Sequence, residues 1–596
     1  MRITPSQLSI VQLFSTKNEQ FFIPAYQRRY AWGDRQVIEL FEDINLLDKS
    51  DAHFLGTILL LTESHKADIN TLELVDGQQR IISLSLLFKA IKDRFIELKK
   101  EEIAKEIENY VFCQGLNRTK QNKIVLGDLD EPDYHRVLEM ENPNEIKNKN
   151  LLNAYDKFKE KLKNYSFEKL NEFYFKLINN TIVVRLDTEK AKDAYKLFET
   201  INNRGLRLSP TDIIKNFLLG HASMIDENTL NKVRQNWKDL IVNLDDIETD
   251  DFFRQFISGI FSRKVTFKKL IFEFKSYYLS KVKEAEILPD YKSLPQFQEY
   301  VGDEENNDED ESEKIVTYKK IPEKDKSSII DFSNFLKELS LIYSKIIKRT
   351  FDNQKINRHL YNLERIESKP AYIFLLYLFF VHKDVEDNKK IEILKLIEIF
   401  MLRRHICEER TAILDDIFSK LKVKDENIVS QVKEELSKYL PDDKKFEENF
   451  AKHNFKGKKN RAKYVLEQFE YNLIVDQREY IINSGNDVHL EHIIPQTIET
   501  KRAKKEYGDW VTYIGKDAVS KYKEYIDRIG NYTLLGQSLN IRAKNNPFLA
   551  KKKEYKKSNI KLTQQIAEKF SSFKFKEVNK RSKNFASTAL KIWKFN

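Results

Sequence analysis

The sequence predicts an α+β protein in which helices predominate, and three observations support this. Glycine and proline are scarce, at 15 and 12 of 596 residues, while charged residues make up 33% of the chain, as on solvated helical surfaces. Short β-branched and aromatic runs, which predict strands, concentrate in the first third. From about residue 221 to 450 the patterning is almost wholly helical. We therefore expect three domains, at residues 1–220, 221–450 and 451–596.

The first domain is expected to mix strands with helices. The segment Arg80–Leu98 carries apolar residues three and four positions apart, which predicts an amphipathic helix. Another helix is expected to begin at Pro210, with Ser209 as its N-cap and Asp212 in its first turn. The predicted strands are Phe21–Tyr26, Phe54–Thr62, Thr71–Val75 and Thr181–Leu186.

The second domain is expected to consist of helices. Ile391–Ile406 predicts one strongly apolar helix, and the acidic run Asp303–Glu313 predicts a solvated loop. The longest apolar run, Ala371–Val381, has only 11 residues. Since a bilayer-spanning helix needs about 20 apolar residues, this run predicts a buried helix and we expect no membrane partner.

The compartment is expected to be the cytoplasm. The first residues contain no basic stretch followed by a long apolar run, so they do not form a signal peptide. The two cysteines, Cys113 and Cys407, lie far apart and form no CxxC pair. This argues against a disulfide framework and against a cysteine-built zinc site.

Charge is unevenly distributed along the chain, whose net charge is +10. Residues 451–596 hold 31 Lys and Arg against 15 Asp and Glu, whereas the preceding residues hold 72 against 78. Such asymmetry favours a polyanionic partner at the C-terminal end, although a solvated basic surface accounts for it equally well.

A motif of chemically reactive residues lies near residue 491. The segment DVHLEHIIPQ pairs Glu491 with His492 in a β-prone run that a proline ends, and IGNYTLLGQSLN follows at Ile529–Asn540. A Glu–His pair alone is ordinary surface. The full order of EH-x-x-P, GN-x-T-L-L and a later Asn followed by a basic helix is far more restrictive, and it resembles the HNH, or ββα-metal, nuclease pattern.

Phosphodiester hydrolysis requires these residue types. A base must take a proton from water, and a cation must neutralise charge on the phosphate and the leaving oxygen. His492 suits the base, because its ordinary pKa lies near neutrality. Glu491 is a predicted metal ligand, although strand neighbours point to opposite faces, so a local distortion or the helix must bring its carboxylate to the metal. His489 is either a second ligand or a hydrogen-bonded neighbour. Such ligands suit Mg²⁺ or Mn²⁺.

The resemblance implies roles for two asparagines. Asn531 would hold the loop between strand and base, and Asn540 would supply the amide on the metal side, with Asn545 as the competing choice. The chain has Glu491 where many members have Asp, which leaves the ligand geometry open. It also lacks the structural zinc cysteines of many members, so packing must hold the fold.

The stretch TLELVDGQQRIISLSLL is a second motif, with a tight turn at Asp76–Gly77 between a strand and a helix. Gly77 tolerates a positive φ, and the free N–H groups at a helix start bind anions. Arg80 adds a bidentate phosphate donor. Asp76 could orient water or a metal, and Gln78 or Gln79 could donate to a phosphate. No GxxxxGK[ST] motif occurs in the chain, so this predicts a phosphate pocket of another kind.

Four segments together resemble the ParB/sulfiredoxin-like half of GmrSD-type, type IV restriction endonucleases: IPAYQR-x-Y-x-W, FLGTILL, DGQQR and INNRGLRLSPTDIIKN. The EHIIPQ…GNYTLL segment resembles their nuclease partner, here fused in one chain. The resemblance covers about residues 10–220 and 460–590. It implies that the DGQQR pocket binds and hydrolyses GTP or ATP, with Gln27 and Arg28 helping, and that the HNH site cleaves modified foreign DNA.

We therefore expect an NTP-regulated, metal-dependent endonuclease of phage defence. Two alternatives stay open: a nucleotide-responsive DNA-binding protein that does not cleave, and an RNA-directed nuclease, since both polymers present phosphates. One HNH site cuts one strand at a time, so double-strand cleavage would require a homodimer or repeated action.

Overall fold

The structure is a computed structural model that describes residues 3–48, 51–62, 68–115, 119–202, 209–288, 325–424, 426–474, 487–498, 505 and 509–595. It is 65% helical with a mixed sheet, which confirms the predicted α+β class with helices predominant. Contacts divide the chain into two compact units, residues 1–257 with 265–341 and residues 258–264 with 342–596. The division at residues 220 and 450 stays a prediction. Across the described ranges, every helix is too short or too polar to span a bilayer.

The first unit contains a six-stranded mixed sheet in the order β1-β8-β3-β4-β2-β7. Strands β3 and β8, β2 and β4, and β2 and β7 pair in parallel, whereas β1 with β8 and β3 with β4 pair antiparallel. Strands β5 and β6 form a separate pair. The strands are β1 (Ile3–Ser9), β2 (Glu19–Phe22), β3 (His53–Leu61), β4 (Asn70–Asp76), β5 (Phe112–Gln114), β6 (Lys120–Asn122), β7 (Ile124–Val125) and β8 (Thr181–Thr188).

The four strands predicted from the sequence are present, with bounds that differ by up to four residues, and strands β1, β5, β6 and β7 were not among the predictions. Strand β2 ends at Phe22, before the predicted end at Tyr26, because Pro24 has no N–H for the ladder. Strand β1 was not predicted, since Pro5 lies within it. It lies at the edge of the sheet, where a strand tolerates proline.

Helix α3 forms the centre of the first unit's core. Thirteen of its 20 residues are buried, including two serines that apolar patterning does not explain. Ser83 and Ser85 bond the hydroxyls of Tyr30 and Tyr134 at 2.7 and 2.6 Å, so their burial leaves no polar group unsatisfied.

The helices of this part of the chain are α1 (Ile10–Phe14), α2 (Asp34–Asn45), α3 (Gln78–Glu97), α4 (Glu101–Val111), α5 (Glu131–Glu139), α6 (Lys149–Leu162), α7 (Phe167–Phe175), α8 (Ala191–Asn202), α9 (Pro210–Ile225), α10 (Glu227–Asn243), α11 (Thr249–Phe261), α12 (Phe267–Lys281) and α13 (Ile329–Lys348). Ser209 caps α9 by accepting a bond from Asp212 N at 3.2 Å, as predicted. The acidic run at residues 303–313 lies outside the described residues.

In its described residues the second unit is helical apart from a two-stranded antiparallel sheet formed by β9 and β10. Its predicted apolar segments form α15 and α16, and a buried bidentate ion pair between Arg365 and Glu467 joins α14 to α20. The elements are α14 (Gln354–Arg365), α15 (Tyr372–Val381), α16 (Asp387–Ile406), α17 (Leu414–Lys420), α18 (Ile428–Ser437), α19 (Asp443–Lys452), α20 (Lys459–Leu473), β9 (Val488–His492), α21 (Trp510–Ile514), α22 (Ala518–Tyr525), β10 (Tyr532–Gly536), α23 (Gln537–Ala543), α24 (Phe548–Tyr555), α25 (Lys561–Lys569) and α26 (Phe575–Ile592).

Gly77→Ala should destabilise the turn between β4 and α3. Gly77 has a φ of +96°, and an added Cβ would lie 3.1 Å from Ile58 Cγ1, so both backbone strain and crowding oppose a side chain. We expect the free energy of unfolding to fall by about 1–3 kcal/mol, measured by urea denaturation. The control Gly33→Ala has a φ of −93° and only an ordinary contact, 3.8 Å to Gln36 Oε1, so its denaturation midpoint should fall less than that of Gly77→Ala. A wild-type midpoint for Gly77→Ala would contradict the expectation.

Candidate active site

Strands β9 and β10 fix the faces on which the motif residues lie. They pair antiparallel over five residues without a register shift, with Tyr532 opposite His492 and Thr533 opposite Glu491. Opposite residues share a face and neighbours alternate. His492 therefore lies with Tyr532, and Glu491 lies on the other face with Thr533 and His489. Of the two alternatives expected for Glu491, a local distortion does not occur within this ladder, and the approach of its carboxylate to a metal from the helix side stays a prediction. Helix α23 follows β10 directly, so the order is strand, strand, helix.

Asn531 ties the chain after β9 to the start of β10. Its fully buried amide donates to the carbonyls of Ile494 and Ile526 at 3.0 and 2.8 Å, and its Oδ1 accepts from Ile494 N at 2.8 Å. Three bonds from one side chain fix the segment that immediately follows His492.

Helix α26 packs on the turn that precedes β10. Arg581 is buried and donates to the carbonyl oxygens of Gly530, at 3.0 Å, and of Tyr532. Gly530 N donates to Ser582 Oγ at 3.1 Å, and a Cβ on Gly530 would lie 2.2 Å from Val578 O. The turn before β10 therefore depends on close contact with α26.

Glu491 is buried and forms hydrogen bonds with side chains of helix α24. Its Oε1 accepts from Lys551 Nζ at 2.7 Å and from Tyr555 Oη at 2.9 Å, and all three side chains are buried. Lys551 also donates to the carbonyl of His492 at 2.6 Å. Burial lowers the pKa of Lys551, and the Glu491 carboxylate opposes that shift. Among the described residues both bonds to the Glu491 carboxylate fall on Oε1, so Oε2 is the atom that a cation would take.

Asn540 lies on α23 with a buried Oδ1 that has no hydrogen-bond partner within the described residues. A buried acceptor without a donor is costly, and a cation would satisfy it. Asn545 lies in the turn after α23, where its carbonyl accepts from Trp510 Nε1 at 2.9 Å. The unsatisfied atom thus favours Asn540, and oxygen donors from Asn540 and Glu491 fit Mg²⁺ or Mn²⁺. Within the described residues, no three His, Cys, Asp or Glu side chains cluster as a metal site, so His489 stays an untested candidate.

Asp527 is a site residue that the sequence analysis missed. Its Oδ1 lies 3.4 Å from His492 Nε2 and accepts from Tyr532 Oη at 2.7 Å. The Tyr532 ring also meets the His492 ring edge to face, with centroids 4.7 Å apart. The bond from His492 is the largest cause that lowers the pKa of Asp527. Antiparallel pairing of the EH and NY segments would have placed Tyr532 beside His492, but no spacing in the sequence indicated Asp527.

The DGQQR motif lies at the junction of β4 and α3, where Gly77 is the N-cap of α3 and donates to Asp76 Oδ1 at 2.8 Å. Gln79 is tied to the backbone, accepting from Ala31 N at 2.8 Å. Arg80 donates to the carbonyls of Leu55 and Thr57 at 3.1 and 2.8 Å. Burial lowers the pKa of Arg80 and raises that of Asp76. Arg80 would have to exchange these bonds to hold a phosphate.

Lys215 joins the other motif residues into a buried network. It contacts Gln27 Oε1 and lies 3.7 Å from Asp212, and burial lowers its pKa. Gln78 donates to Gln27 Oε1 at 3.4 Å, and its own Oε1 is buried without a partner within the described part of the chain. Lys215 lies within the SPTDIIKN segment, where its spacing from the DGQQR motif gave no indication of a role.

A cleft of about 490 Å³ opens beside this network in the first unit. Arg28 lines it, lies 3.6 Å from Asp212 and has 44% of its side chain exposed. Arg29 is committed to Asp130 and Asp245 at 2.7 and 2.6 Å, so Arg28 is the more available guanidinium. The charged lining residues are Arg28, Arg29, Lys147, Lys149, Asp212, Asp245, Asp246, Glu248 and Asp250. Residues 203–208, which include the NRG segment, lie outside the described residues.

The aromatic residues near Arg28 belong to the protein interior. Tyr26 is buried against Glu73 and Tyr195, and Tyr30 bonds Ser83. Trp32 packs on the core. These contacts favour a structural role for Tyr26, Tyr30 and Trp32 over a role in binding a ligand.

Two family models match the chain. Residues 10–219 match the GmrSD restriction endonuclease N-terminal domain, and residues 440–588 match the GmrSD restriction endonuclease C-terminal domain. The protein is therefore a restriction endonuclease by class. The matches together span more than half of the sequence, and the chain belongs to the GmrSD restriction endonuclease family, with both domains in one polypeptide. No curated protein matches the chain.

Lys551→Met should strongly destabilise the second unit, because the Glu491 carboxylate would stay buried without its counter-ion. Breaking such a pair costs about 3–5 kcal/mol of unfolding free energy, which urea denaturation followed by tryptophan fluorescence would detect. The control Lys553→Met removes an exposed charge on the same helix and should have little effect.

The double variant Lys551→Met with Glu491→Gln removes both charges and should recover part of that loss. If Lys551→Met is as stable as Lys553→Met, the ion pair does not hold α24 to β9.

Proposed function

We propose that this protein is an NTP-regulated, metal-dependent endonuclease that cleaves modified foreign DNA, including phage DNA, with His492 as the general base. The observation that carries the proposal is the setting of His492, at the end of β9 with Nε2 facing Asp527 at 3.4 Å. A neutral imidazole that donates from one nitrogen can accept a proton at the other. In phosphodiester hydrolysis such a base takes the proton of the attacking water.

Glu491 and Asn540 are the residues proposed to hold the cation. The support is one carboxylate oxygen left over from the Lys551 and Tyr555 bonds, and the unsatisfied amide oxygen of Asn540. When bound, Mg²⁺ or Mn²⁺ neutralises charge that develops on the phosphate and the leaving oxygen. Asn531 keeps the segment after His492 in place while the base acts.

The basic C-terminal part of the chain is proposed to bind the DNA backbone. Residues 451–596 carry 31 Lys and Arg against 15 Asp and Glu. Since such binding releases counterions, DNA affinity should fall steeply with salt. Cleavage of both strands would require two copies of the site or two successive events at one site.

The nucleotide is proposed to bind in the first unit, next to the DGQQR turn. Support comes from the N-terminus of α3, which begins at Gln78, and from the available guanidinium of Arg28 at the mouth of the neighbouring cleft. The buried network of Lys215, Gln27 and Gln78 includes the first residue of α3. Binding or release of the nucleotide could therefore change the packing of that helix. The family resemblance supplies GTP or ATP as the ligand.

His492→Ala should slow cleavage strongly and leave DNA binding intact. Loss of a general base lowers the rate by about 10²–10⁴-fold, so a residual rate should remain measurable. The measurement is cleavage of duplexes made with cytosine, 5-methylcytosine or 5-hydroxymethylcytosine and of a matched RNA, with Mg²⁺ or Mn²⁺ and with GTP, ATP or neither. EDTA should stop the wild-type reaction, and added Mn²⁺ should restore it.

The control His135→Ala changes a histidine in the first unit and should cut like wild type. If wild type leaves every DNA uncut, the protein binds without cleaving. If it degrades only RNA, the substrate assignment is wrong. Full activity of His492→Ala would show that His492 is not the general base.

Arg28→Met should weaken nucleotide binding at least about tenfold, because a desolvated guanidinium–phosphate contact contributes roughly 1.5–3 kcal/mol. Titration calorimetry with GTP and ATP measures it. Arg35→Met is the control, since Arg35 is exposed and pairs only with Glu39 in the described structure. Equal affinities for the two variants would place the nucleotide elsewhere.

A further inference from the structure

We propose that Asp527 is the positioning residue for His492, holding the imidazole so that Nε2 faces the carboxylate and Nδ1 faces the water. This inference rests on the proposed function and deepens it. It adds a carboxylate behind the base that neither the motif nor the family match assigns.

Two side chains, Asp527 and Tyr532, contact the imidazole ring of His492. Asp527 Oδ1 lies 3.4 Å from Nε2, and the Tyr532 ring meets the imidazole edge to face. Tyr532 donates its hydroxyl to the same Oδ1 at 2.7 Å, so the carboxylate is itself held in place. The ladder pairs Tyr532 with His492, and its backbone therefore fixes the tyrosine beside the base.

The carboxylate of Asp527 is not needed to hold its own backbone. Asp527 O accepts from Phe455 N at 2.9 Å, and the neighbouring Arg528 bridges to Asn454. Arg528 is paired with Glu524, so it does not compete for Asp527. Removing the charge of Asp527 should therefore leave the local fold in place.

The arrangement of His492 and Asp527 suits general-base catalysis. His492 with its proton on Nε2 donates to Asp527 and keeps a lone pair on Nδ1. As the water oxygen bonds to phosphorus, one water proton passes to Nδ1. The bond from phosphorus to the leaving oxygen breaks with its electron pair, and that oxygen takes a proton from solvent. The imidazolium that forms then lies against a negative carboxylate, which stabilises it, as an aspartate does behind the histidine of serine proteases.

The test is single-turnover cleavage of whichever DNA duplex the wild type cuts, at saturating enzyme and Mn²⁺. Asp527→Asn keeps the size and removes the charge, and its rate should fall about 10–100-fold, less than the roughly 10²–10⁴-fold loss expected when the base itself is removed. Asp527→Glu keeps the charge and should cut faster than Asp527→Asn. Tyr532→Phe loses only the hydroxyl and should be slowed by a few-fold. Asp517→Asn, an exposed carboxylate paired with Lys521, is the matched control at wild-type rate.

The double variant Asp527→Asn with His492→Ala distinguishes positioning from a general structural role. If Asp527 acts through His492, the double variant should cut no more slowly than His492→Ala alone. The loss in Asp527→Asn should lie in the rate at saturation, with unchanged DNA affinity and an unchanged thermal melting temperature.

A wild-type rate for Asp527→Asn overturns the inference, as does a loss confined to DNA affinity, or a double variant slower than His492→Ala. In each case the proposed function survives if His492→Ala is slowed by at least about 100-fold. If His492→Ala cuts normally, the proposed function fails and takes this inference with it. If Asp527→Asn unfolds, Tyr532→Phe decides: a wild-type rate for that variant overturns the inference.

Discussion

Alternation along a β-strand is the constraint on which the rest of the site depends. Because β9 and β10 pair without a bulge, the adjacent Glu491 and His492 are directed to opposite faces. On one face Glu491 accepts a hydrogen bond from Lys551 of α24. On the other face His492 contacts Asp527 and Tyr532. A base and a carboxylate side by side in sequence thus acquire separate surroundings. The two side chains have different neighbours, and Lys551 links them because it also donates to the carbonyl of His492.

Much of the fold follows from patterning. Helical periodicity and short β-branched runs located α3, α16 and the strands β3, β4 and β8 to within a few residues. Strand β1 escaped because its composition is not β-like and Pro5 lies within it, and only its edge position makes that strand tolerable. Local sequence carries no information about which strand will be at an edge.

The candidate site was predictable in its residue types and less so in their partners. The motif order singled out His492, Asn531 and Asn540, yet Lys551, Tyr555 and Asp527 come from segments whose approach depends on tertiary packing. Their spacing from the motif, 60 and 64 residues for the pairs to Glu491, has no signature. In the first unit, DGQQR was recognisable as a turn with phosphate-binding potential. The folded chain uses much of that potential internally, since Arg80 and Gln79 bond neighbouring backbone groups.

The close packing of α26 on the turn before β10 has a consequence for how the enzyme comes into being. Gly530 has no space for a side chain beneath Val578, and Arg581 holds two carbonyl groups of that turn. Residues of β9 emerge from the ribosome almost ninety residues earlier than Arg581 does. The corner next to the histidine therefore lacks its outer support throughout that stretch of synthesis. A nascent chain that ends before Arg581 therefore contains the whole motif but not the contacts that hold the turn before β10.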